Sequence, residues 1–537
     1  MKQTSTTLPL SDTEAFSKLI IDYVNGDTRL KDFYSSESSL EGCAEVMQAY
    51  KTKTTERHLL VKVLKEQYTI SKVKQSTPLI SAIDSLLNET TFTVCTGHQL
   101  CLFTGPLYFI YKIVTTINLA RELKNKYPAN NFVPVYWMAS EDHDFEEINH
   151  ITVFEKQISW NYSEQRGPVG KLATTTLAPV LEELTTLLGP SVNGQALSDM
   201  FNEAYLKHTT LSEATRHLVH TLFGDYGLVV LDAADKQLKQ LFIPFIKEEV
   251  IQLSNYKTVN DTITKLNNIG FKQQVNPRPI NLFYMKDNLR ERIEKVESGY
   301  LVVNTAIVFT EEELLQAIND TPEYFSPNVI LRPLYQQVLL PNLAYIGGPG
   351  ELAYWLELKT MFDKNKVIFP ALWLRNSVLI IDAKSTKLIE KFNFTANDLF
   401  TDADLLTNKY MMQVNTDGLA LAEEEVQIKQ TFSGIVEKAQ KVDITLKASV
   451  EAELQKIINA LKTLENKLIK AEKQKNETTV TQIKKLKQKL FPQGKLQERN
   501  DTFIPFYLQY GKEFIGLLIT HLNPLAFKFT VITISDD

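Results

Sequence analysis

The stretch from Thr91 to Ala139 constrains the fold of this chain most, because an amphipathic segment there separates two apolar runs of strand length. Apolar side chains recur at helical spacing from Leu107 to Leu119, whereas residues 132–139 are almost continuously apolar. A strand, a helix and a second strand of this length form the crossover unit of a parallel sheet, which brings the carboxyl ends of both strands to one edge. We therefore expect an α/β core that binds a ligand at that edge.

The loop between the first strand and the helix contains Gly97 and Gly105. The sequence predicts Thr104 as the N-cap of the helix and Pro106 in its first turn, where the missing N–H costs nothing. Because free N–H groups at the start of a helix attract negative charge, we expect an anionic ligand here. The alternative is a plain connection between strand and helix, since one pair of glycines is a weak signal.

An acid-rich segment, residues 140–150, follows the second strand and is expected to face the same crevice. His143 and His150, with the neighbouring carboxylates, could perform acid–base chemistry or hold a metal ion, because imidazole and carboxylate suit either task. The alternative is a solvated, acidic helix start, which the helix dipole favours by itself. Since the spacing matches no familiar zinc motif, we predict no tightly bound metal.

A second glycine-rich turn, Gly347–Gly350, follows a short strand and precedes a helix that we expect to begin at Glu351. Three glycines in this turn would let a ligand approach the backbone closely. Arg332, upstream of the turn, could bind a phosphate or a carboxylate through both arms of its guanidinium, or it could form a surface ion pair. Asp232 ends another buried run and is either a helix cap or a contact to a ribose or an amine.

Composition restricts the class of protein. The chain has 537 residues and a net charge of −6, which gives no general reason to expect nucleic acid as a partner. No apolar run approaches the roughly 18 residues of a membrane span, so we expect a cytoplasmic protein that does not bind membranes. The 3 cysteines lack the paired spacing of a metal site and are expected to be free, buried thiols.

Residues 435–491 contain neither glycine nor proline and predict long helices near the C-terminus. Apolar residues there alternate in steps of four and three, as in the seam of a coiled coil. The predicted seam comprises Val450, Ile457, Leu461, Leu464, Leu468 and Ala471. The pattern slips near Lys475 and resumes at Ile483, which indicates a stutter, and a surplus apolar seam would favour a homodimer.

Four long segments together resemble the cysteine-adding enzyme family of bacillithiol biosynthesis, and they span most of the chain. These segments are TGHQLCLFTGPLYFIYK (Thr96–Lys112), PVYWMASEDHDFEEINH (Pro134–His150), LRPLYQQVLLPNLAYIGGPGELAYW (Leu331–Trp355) and LFPQGKLQER (Leu490–Arg499). The chain departs from the family at His98, because the family usually has glutamine between the glycine and the second glutamine of Gly97-His98-Gln99. The second signature of the class I aminoacyl-tRNA synthetases, Lys-Met-Ser-Lys-Ser, is absent.

The resemblance implies a Rossmann-like parallel-sheet core related to class I aminoacyl-tRNA synthetases and nucleotidyltransferases. Two connecting-peptide insertions and a C-terminal α-helical coiled-coil domain that forms a homodimer complete the implied fold. We predict these segments: an N-terminal helical segment packed on the core (1–90), a first core segment (91–155), a first insertion (156–225), a second core segment (226–242), a second insertion (243–328), a third core segment (329–420), the coiled-coil domain (421–510) and a tail that returns to the body (511–537).

The implied reaction joins the carboxylate of cysteine to the amine of glucosaminyl-malate, and ATP with Mg²⁺ is its expected source of activation by analogy of fold. We predict catalytic roles for Lys112 and Arg332 in activating the carboxylate, and for His143 or Asp144 as the base that takes a proton from the amine. The predicted binding residues are Gly97, His98, Gln99, Thr104, Gly105, Pro106, Tyr108, Ser140, Glu141, Asp142, Asp232, Tyr345, Gly347, Gly348, Gly350 and Glu351. The alternatives are a non-catalytic scaffold or sulfur-relay protein on this fold, and a ligase or nucleotidyltransferase with another acceptor.

Overall fold

A computed structural model describes residues 2–162, 166–414 and 420–535. Its strands are β1 (Lys2–Leu8), β2 (Thr91–His98), β3 (Asn131–Met138), β4 (His150–Val153), β5 (Lys156–Ser159), β6 (Val229–Asp232), β7 (Leu282–Lys286), β8 (Leu289–Val296), β9 (Gly299–Val302), β10 (Val308–Phe309), β11 (Phe325–Pro327), β12 (Asn342–Gly347), β13 (Ala371–Leu374), β14 (Ser377–Ile381) and β15 (Phe529–Ser535).

The helices fall into three groups along the chain. Those before residue 230 are α1 (Lys18–Val24), α2 (Leu40–Tyr50), α3 (Arg57–Ile70), α4 (Thr77–Ser85), α5 (Leu107–Lys126), α6 (Phe145–Ile148), α7 (Ala178–Leu188), α8 (Val192–Leu206) and α9 (Leu211–Phe223). Those of the middle of the chain are α10 (Lys236–Gln240), α11 (Ile243–Gln252), α12 (Ser254–Asn268), α13 (Glu311–Asp320), α14 (Leu331–Leu339), α15 (Pro349–Leu356), α16 (Lys359–Lys364), α17 (Ala383–Lys391) and α18 (Ala403–Val414). The last are α19 (Ala422–Val442), α20 (Leu446–Lys475), α21 (Glu477–Leu490), α22 (Ile504–Tyr510) and α23 (Glu513–His521).

A five-stranded sheet of order β13-β12-β2-β3-β6 forms the centre of the molecule, and every neighbouring pair in it is parallel. This arrangement confirms the predicted α/β core. In the register of β2 with β12, Thr96 pairs with Ile346, so Gly97 and Gly347 leave adjacent strands at the same edge. The two glycine-containing turns, far apart in sequence, therefore meet at the carboxyl edge of one sheet, where open α/β sheets bind ligands.

Helix α5 is buried along most of its length, with apolar side chains on every face. A helix that is apolar all round must be covered on all sides, and α5 packs on β2 and β3 and also contacts α23. Its interior polar groups are satisfied locally, because Thr116 donates to the carbonyl of Lys112 over 2.8 Å and Asn118 donates to that of Leu522 over 2.7 Å. The residues at its N-terminal end are thereby held at a fixed distance from the sheet edge.

A second five-stranded sheet, of order β10-β9-β8-β7-β11 and antiparallel, is formed within residues 282–327. Its β7–β8 hairpin stands opposite the carboxyl edge of the central sheet. In the first insertion, the run of three threonines from Thr174 forms a 3₁₀ turn (Thr174–Leu177) that leads into helices α7 to α9. Threonine has a strand preference, but here the tertiary context outweighs it.

The N-terminal segment differs from the sequence prediction at its start. Residues 1–90 were expected to be helical, but β1 is a strand that pairs antiparallel with β15, and β15 pairs parallel with β14. The sequence of β1 is polar and exposed, so it carries no apolar period from which a strand could be read. Its register depends on a partner more than 500 residues away.

The helical domain contains α19 and α20, which fold back on each other as a hairpin, and α21, which packs against α18. The apolar pattern was predicted to change register near Lys475 through a stutter within one continuous helix. The structure has a break between two helices there, because α20 ends at Lys475 and α21 begins at Glu477. Ile458 and Ile469 are the buried apolar residues of α20. Most of the predicted seam lies beside this buried stripe, and Leu464 and Leu468 remain 52% and 40% exposed.

Candidate active site

A cavity of about 740 Å³ lies at the carboxyl edge of the central sheet. Its lining includes these residues predicted from sequence: Gly97, His98, Gln99, Tyr108, Lys112, Ser140, Glu141, Asp142, His143, Arg332, Tyr345 and Glu351. It does not include the other predicted residues: Thr104, Gly105, Pro106, Asp144, Asp232, Gly347, Gly348 and Gly350. The size fits a ligand larger than an amino acid, because small-molecule sites range over roughly 300–1,000 Å³.

Lys112 and Glu351 form an ion pair at the sheet edge, in which Lys112 is buried and Glu351 is 25% exposed towards the cavity that it lines. The Lys112 ammonium also donates to the carbonyl of Gly97 over 2.9 Å, and the Tyr345 hydroxyl donates to the other oxygen of Glu351 over 2.7 Å. Burial lowers the pKa of Lys112 more than Glu351 raises it. Burial alone would raise the pKa of Glu351, but Lys112 and the hydrogen bonds that this carboxylate accepts lower it. The Glu351 carboxylate is therefore stabilised in its ionised form, and the two groups serve as each other's main polar partners.

Arg332, on α14, has only neutral partners. Its guanidinium lies 5.5 Å from the centre of the Tyr345 ring and donates to Oε1 of Gln336 over 3.1 Å and to the hydroxyl of Tyr354 over 3.5 Å. No carboxylate among the described residues forms an ion pair with it. A Cβ added at Gly97 would lie 3.2 Å from the Tyr345 hydroxyl and 3.6 Å from Arg332, so this glycine keeps the approach to the guanidinium open. Arg332 is therefore ready to accept an anion.

Asp142 forms the acidic side of the cavity. It accepts hydrogen bonds from the side chain of Gln99 over 2.9 Å and from the backbone N–H of His143 over 2.7 Å. Burial would raise the pKa of Asp142, but the hydrogen bonds from His143 and Gln99 and the charge of Arg290 hold it well below its usual range. Arg290 donates to Nδ1 of His143 over 2.7 Å, and because arginine only donates, Nδ1 carries no proton in this arrangement.

The other acidic side chains near this edge are bound by protein groups. Glu141 pairs over 2.6 Å with Lys239, which is fully buried and whose pKa burial lowers. Ser140 donates to Asp232, and the same oxygen of Asp232 accepts the N–H of Ala234 over 3.1 Å. Asp232 therefore ends β6 bound to Ser140 and Ala234, and the alternative in which Asp232 is a helix cap is wrong, because the N-cap of α10 is Asp235.

The start of α5 differs from its prediction. Pro106 occupies the N-cap position, whereas Thr104 lies in a preceding 3₁₀ turn with a φ of 74°, so the prediction of Thr104 as the N-cap is wrong. The hydroxyl of Thr104 is buried and has no hydrogen-bond partner among the described residues. The N–H of Leu107 donates to the carbonyl of Asp501 over 2.8 Å. A protein carbonyl thus occupies the position where an anion was expected.

Two of the predicted glycines that do not line the cavity, Gly105 and Gly347, lie where the chain leaves little room for a side chain. Gly105 has a φ of 67°, and a Cβ there would lie 2.6 Å from Cβ of Cys101. A Cβ on Gly347 would lie 3.0 Å from Leu352, so the turn into α15 leaves little room for a side chain. Gly350 is exposed and faces open space. Chain geometry therefore explains Gly105 and Gly347, whereas neither a positive φ nor a close contact requires glycine at position 350.

His98, where the chain departs from the family that it resembles, lines the cavity. Its ring lies 5.1 Å from that of Phe109, and its Nε2 is 3.7 Å from Sγ of Cys101. Burial, with a contribution from Lys112 and Arg375, holds the pKa of His98 well below its usual value. The imidazole is therefore neutral, and we assign it no charge in the site.

The sequence analysis missed the wall of the cavity that the antiparallel sheet supplies. Arg290 and Arg292 lie two residues apart on β8 and hence on one face, with Phe283 on β7 opposite Arg292. Arg278 reaches the cavity from the proline-flanked run before β7. The two arginines at strand spacing were a usable signal, but sequence alone did not show that this hairpin stands over the central sheet.

Two general properties concern metals and membranes. Within residues 2–162, 166–414 and 420–535, no group of three histidine, cysteine, aspartate or glutamate side chains is placed to hold a metal ion. Among the helices of these residues, none is both long enough and apolar enough to span a membrane.

Comparison with known proteins decides the family. The model described as "Bacillithiol biosynthesis BshC, N-terminal Rossmann-like domain" matches residues 3–376, and "Bacillithiol biosynthesis BshC, C-terminal coiled-coil domain" matches residues 378–534. This chain belongs to the bacillithiol biosynthesis BshC family. The boundary between the two models lies at the turn that joins β13 to β14.

Relatives in the BshC family cover almost the whole chain. A protein of Flavobacterium johnsoniae named "Putative cysteine ligase BshC" is 45% identical over 97% of this chain and 98% of its own. A protein of Christiangramia forsetii with the same name is 43% identical over 97% of this chain and 98% of its own. A solved structure titled as a putative arginyl-tRNA synthetase from Campylobacter jejuni covers 86% of this chain and 95% of its own at 10% identity, with a TM-score of 0.20, and carries no argument. The resemblance inferred from four segments is confirmed.

Proposed function

We propose that this BshC-family chain is a ligase that forms an amide bond between the carboxyl carbon of cysteine and the amine of glucosaminyl-malate. The name of its relatives, "Putative cysteine ligase BshC", supports the ligation of cysteine, and the acceptor is the one that the resemblance to the bacillithiol biosynthesis family implies. The observation that carries the proposal is the order of charges along one cavity: Arg332 without a carboxylate partner beside Gly97, the ionised Asp142 next to Gln99, and Arg290 beyond His143. Such an order suits a substrate with an amine between two anionic groups.

A carboxylate does not form an amide at a useful rate until its oxygen is converted into a leaving group. We propose that ATP, with the Mg²⁺ that accompanies it, supplies this activation. Arg332 fits the phosphate or the activated carboxyl group, because its present partners are neutral and an anion would give it charge-assisted hydrogen bonds. Lys112 fits this role less well, because the carboxylate of Glu351 and the carbonyl of Gly97 already accept hydrogen bonds from its ammonium group. Its role is to hold the sheet edge in place.

The attacking amine must lose a proton. Of the two bases predicted, His143 lines the cavity and Asp144 is exposed outside it. With Arg290 bound to Nδ1, the proton of a neutral His143 is on Nε2, so the ring can accept a proton only after Arg290 moves away. We retain His143 as the candidate base on this condition. We also propose that the ligase acts in the cytoplasm, where ATP and cysteine are available.

A reconstitution with purified chain tests the proposal. Cysteine, glucosaminyl-malate and ATP are incubated with the protein, and thiol products are separated and weighed by mass spectrometry. We expect the mass of the two substrates joined with loss of one water. Release of AMP and pyrophosphate would identify an adenylate, whereas ADP and phosphate would identify an acyl phosphate. Nucleotide binding with no response to glucosaminyl-malate would instead indicate a ligase with another acceptor, and absence of binding by all three would indicate a scaffold.

We also propose a homodimer formed through the helical domain. Beside the stripe that packs within the α19–α20 hairpin, α20 carries a second apolar stripe in which Ile457, Leu464 and Leu468 are 37%, 52% and 40% exposed. One long helix with two apolar stripes can bury one in its own hairpin and the other against a second copy. We expect light scattering to give twice the chain mass for the wild type and the monomer mass for Leu464→Glu. Thr463→Glu, on an exposed neighbouring position, is the matched control and should remain a dimer.

A further inference from the structure

The antiparallel sheet contributes three arginines to the cavity, and their charges are poorly compensated. Arg278 has no side-chain hydrogen bond or ion pair among the described residues. Arg290 donates to His143 and Ser326, but its Nε is buried without a partner. Arg292 contacts Glu294 over 3.3 Å, and both side chains are about half exposed. An exposed pair of this kind is weak, so Arg292 is available to another anion.

The surroundings of these arginines indicate a small, planar anion. Phe283 lies under Arg290, with the guanidinium carbon 3.9 Å from the ring centre, which fixes the guanidinium plane. A fixed guanidinium binds a carboxylate through two parallel hydrogen bonds. Asn276 and Asn328, which also line this wall, add neutral amide groups and no negative charge. Asp142 offsets part of the charge of Arg290, and Glu294 is only an exposed partner of Arg292. Arg278 and Arg292 therefore remain as two guanidinium groups available to an anion, which fits a dicarboxylate better than a single carboxylate.

We propose that Arg278, Arg290 and Arg292 bind the two carboxylates of the malate moiety and so determine the acceptor specificity of the proposed ligase. This inference rests on the function proposed above. Asp142 lies between this wall and Arg332, as the contacts of Gln99 and His143 show. The malate end is bound at the antiparallel sheet, the glucosamine amine lies at Asp142, and the activated cysteine carboxyl lies at Arg332 and Gly97. The arginines act on binding of the acceptor, whereas Arg332 acts on the carboxyl donor.

The test compares two acceptors with and without these charges. Initial rates are measured for wild type, Arg292→Gln and Arg278→Gln/Arg292→Gln, with glucosaminyl-malate and with methyl glucosaminide, which has the amine and lacks both carboxylates. We expect KM for glucosaminyl-malate to rise about 10-fold in the single variant and about 100-fold or more in the double variant, with kcat nearly unchanged. Rates with methyl glucosaminide should be equal in all three. Lys295→Gln, on the opposite face of β8, is the charge-matched control and should behave as wild type.

The outcomes separate this inference from the function itself. An equal loss with both acceptors, or an unchanged preference for glucosaminyl-malate in the double variant, would overturn the assignment of the malate end to this wall. If the wild type ligates neither acceptor, the ligase proposal has failed, and calorimetry with malate alone then tests the wall: binding that weakens at least 10-fold in the double variant supports a dicarboxylate site, and equal or absent binding in both overturns it. Circular dichroism confirms that each variant is folded.

Discussion

The two walls of the cavity handle charge in opposite ways. On the wall formed by the central sheet, the buried Lys112 and the partly buried Glu351 form an ion pair. On the wall formed by the antiparallel sheet, Arg278 and Arg292 face the cavity with little compensation. A buried charge that loses its partner lowers the free energy of unfolding by several kcal/mol. An exposed charge without a partner is solvated by water, so it costs little stability and remains available to a ligand. The first wall is therefore built for stability of the sheet edge, and the second for binding.

Substitution of Lys112 is expected to have the largest effect on this comparison. Lys112→Met leaves Glu351 without its cation. Breaking one side of a fully buried pair costs about 3–5 kcal/mol of unfolding free energy, and because Glu351 is 25% exposed we expect a loss at the lower end of this range. The carboxylate will also titrate at a higher pH, because burial alone raises its pKa and Lys112 no longer lowers it. Unfolding in urea at pH 7 measures the loss. The double variant Lys112→Met/Glu351→Gln should recover much of it, and no recovery would show that the pair does not account for the stability of this wall.

Arg332 is the exception on the first wall and sharpens the contrast. It lies on the wall of the central sheet, yet its own hydrogen-bond partners are neutral, like those of Arg290 on the second wall. We expect Arg332→Gln to lower kcat/KM for cysteine ligation about 100-fold or more, as loss of a charge-stabilising donor does, while the unfolding free energy changes by less than about 1 kcal/mol. Arg332→Lys keeps the charge without the planar geometry and should lie between the two. A large loss of stability in Arg332→Gln would mean that this residue acts like Lys112.

Sequence reasoning worked best where local pattern and tertiary contact coincide. The strand–helix–strand unit from Thr91 to Ala139 is a local pattern, and its right-handed crossover placed Gly97, Asp142 and His143 at one edge. The turn at Gly347 joined the same edge because β12 is parallel to β2 and adjacent to it. The predictions made from helix capping were less successful, since Asp501, from near the other end of the chain, occupies the N–H of Leu107.

What sequence could not supply was the position of elements relative to one another. Arg290 and Arg292 show the spacing of a strand face, but only the packing of their hairpin over the central sheet brings them into the site. Strand β1 has no apolar pattern and depends on β15 for its register. The predicted seam of α20 differs from the stripe that is buried, because the sequence of a helix with two apolar stripes does not show which stripe packs within its own hairpin.

The smallest expected effect concerns the segment that carries Arg278 to the cavity. Glu357, only 1% exposed, accepts the backbone N–H groups of Gln274 and Val275 over 2.6 and 3.2 Å, and burial raises its pKa to about 7. Unlike Glu351, it forms no ion pair with any residue that the structure describes. Since the unfolded carboxyl titrates near 4.5, the folded state binds more protons between these pKa values. Stability should therefore fall by about 1–3 kcal/mol as the pH rises from 4.5 to 7.

Urea unfolding between pH 4.5 and pH 7 measures how the free energy of unfolding changes with pH. We expect the contribution of Glu357 to be present in the wild type and in the exposed control Glu390→Gln, and to disappear in Glu357→Gln. If the wild type and Glu357→Gln show the same slope, the two N–H groups hold Glu357 ionised in spite of its burial. The N–H groups of Gln274 and Val275 would then bind an ionised carboxylate, as Lys112 does in its ion pair with Glu351. In that case the segment before β7 would resemble the wall of the central sheet up to Val275, and the uncompensated charges of the second wall would start at Arg278.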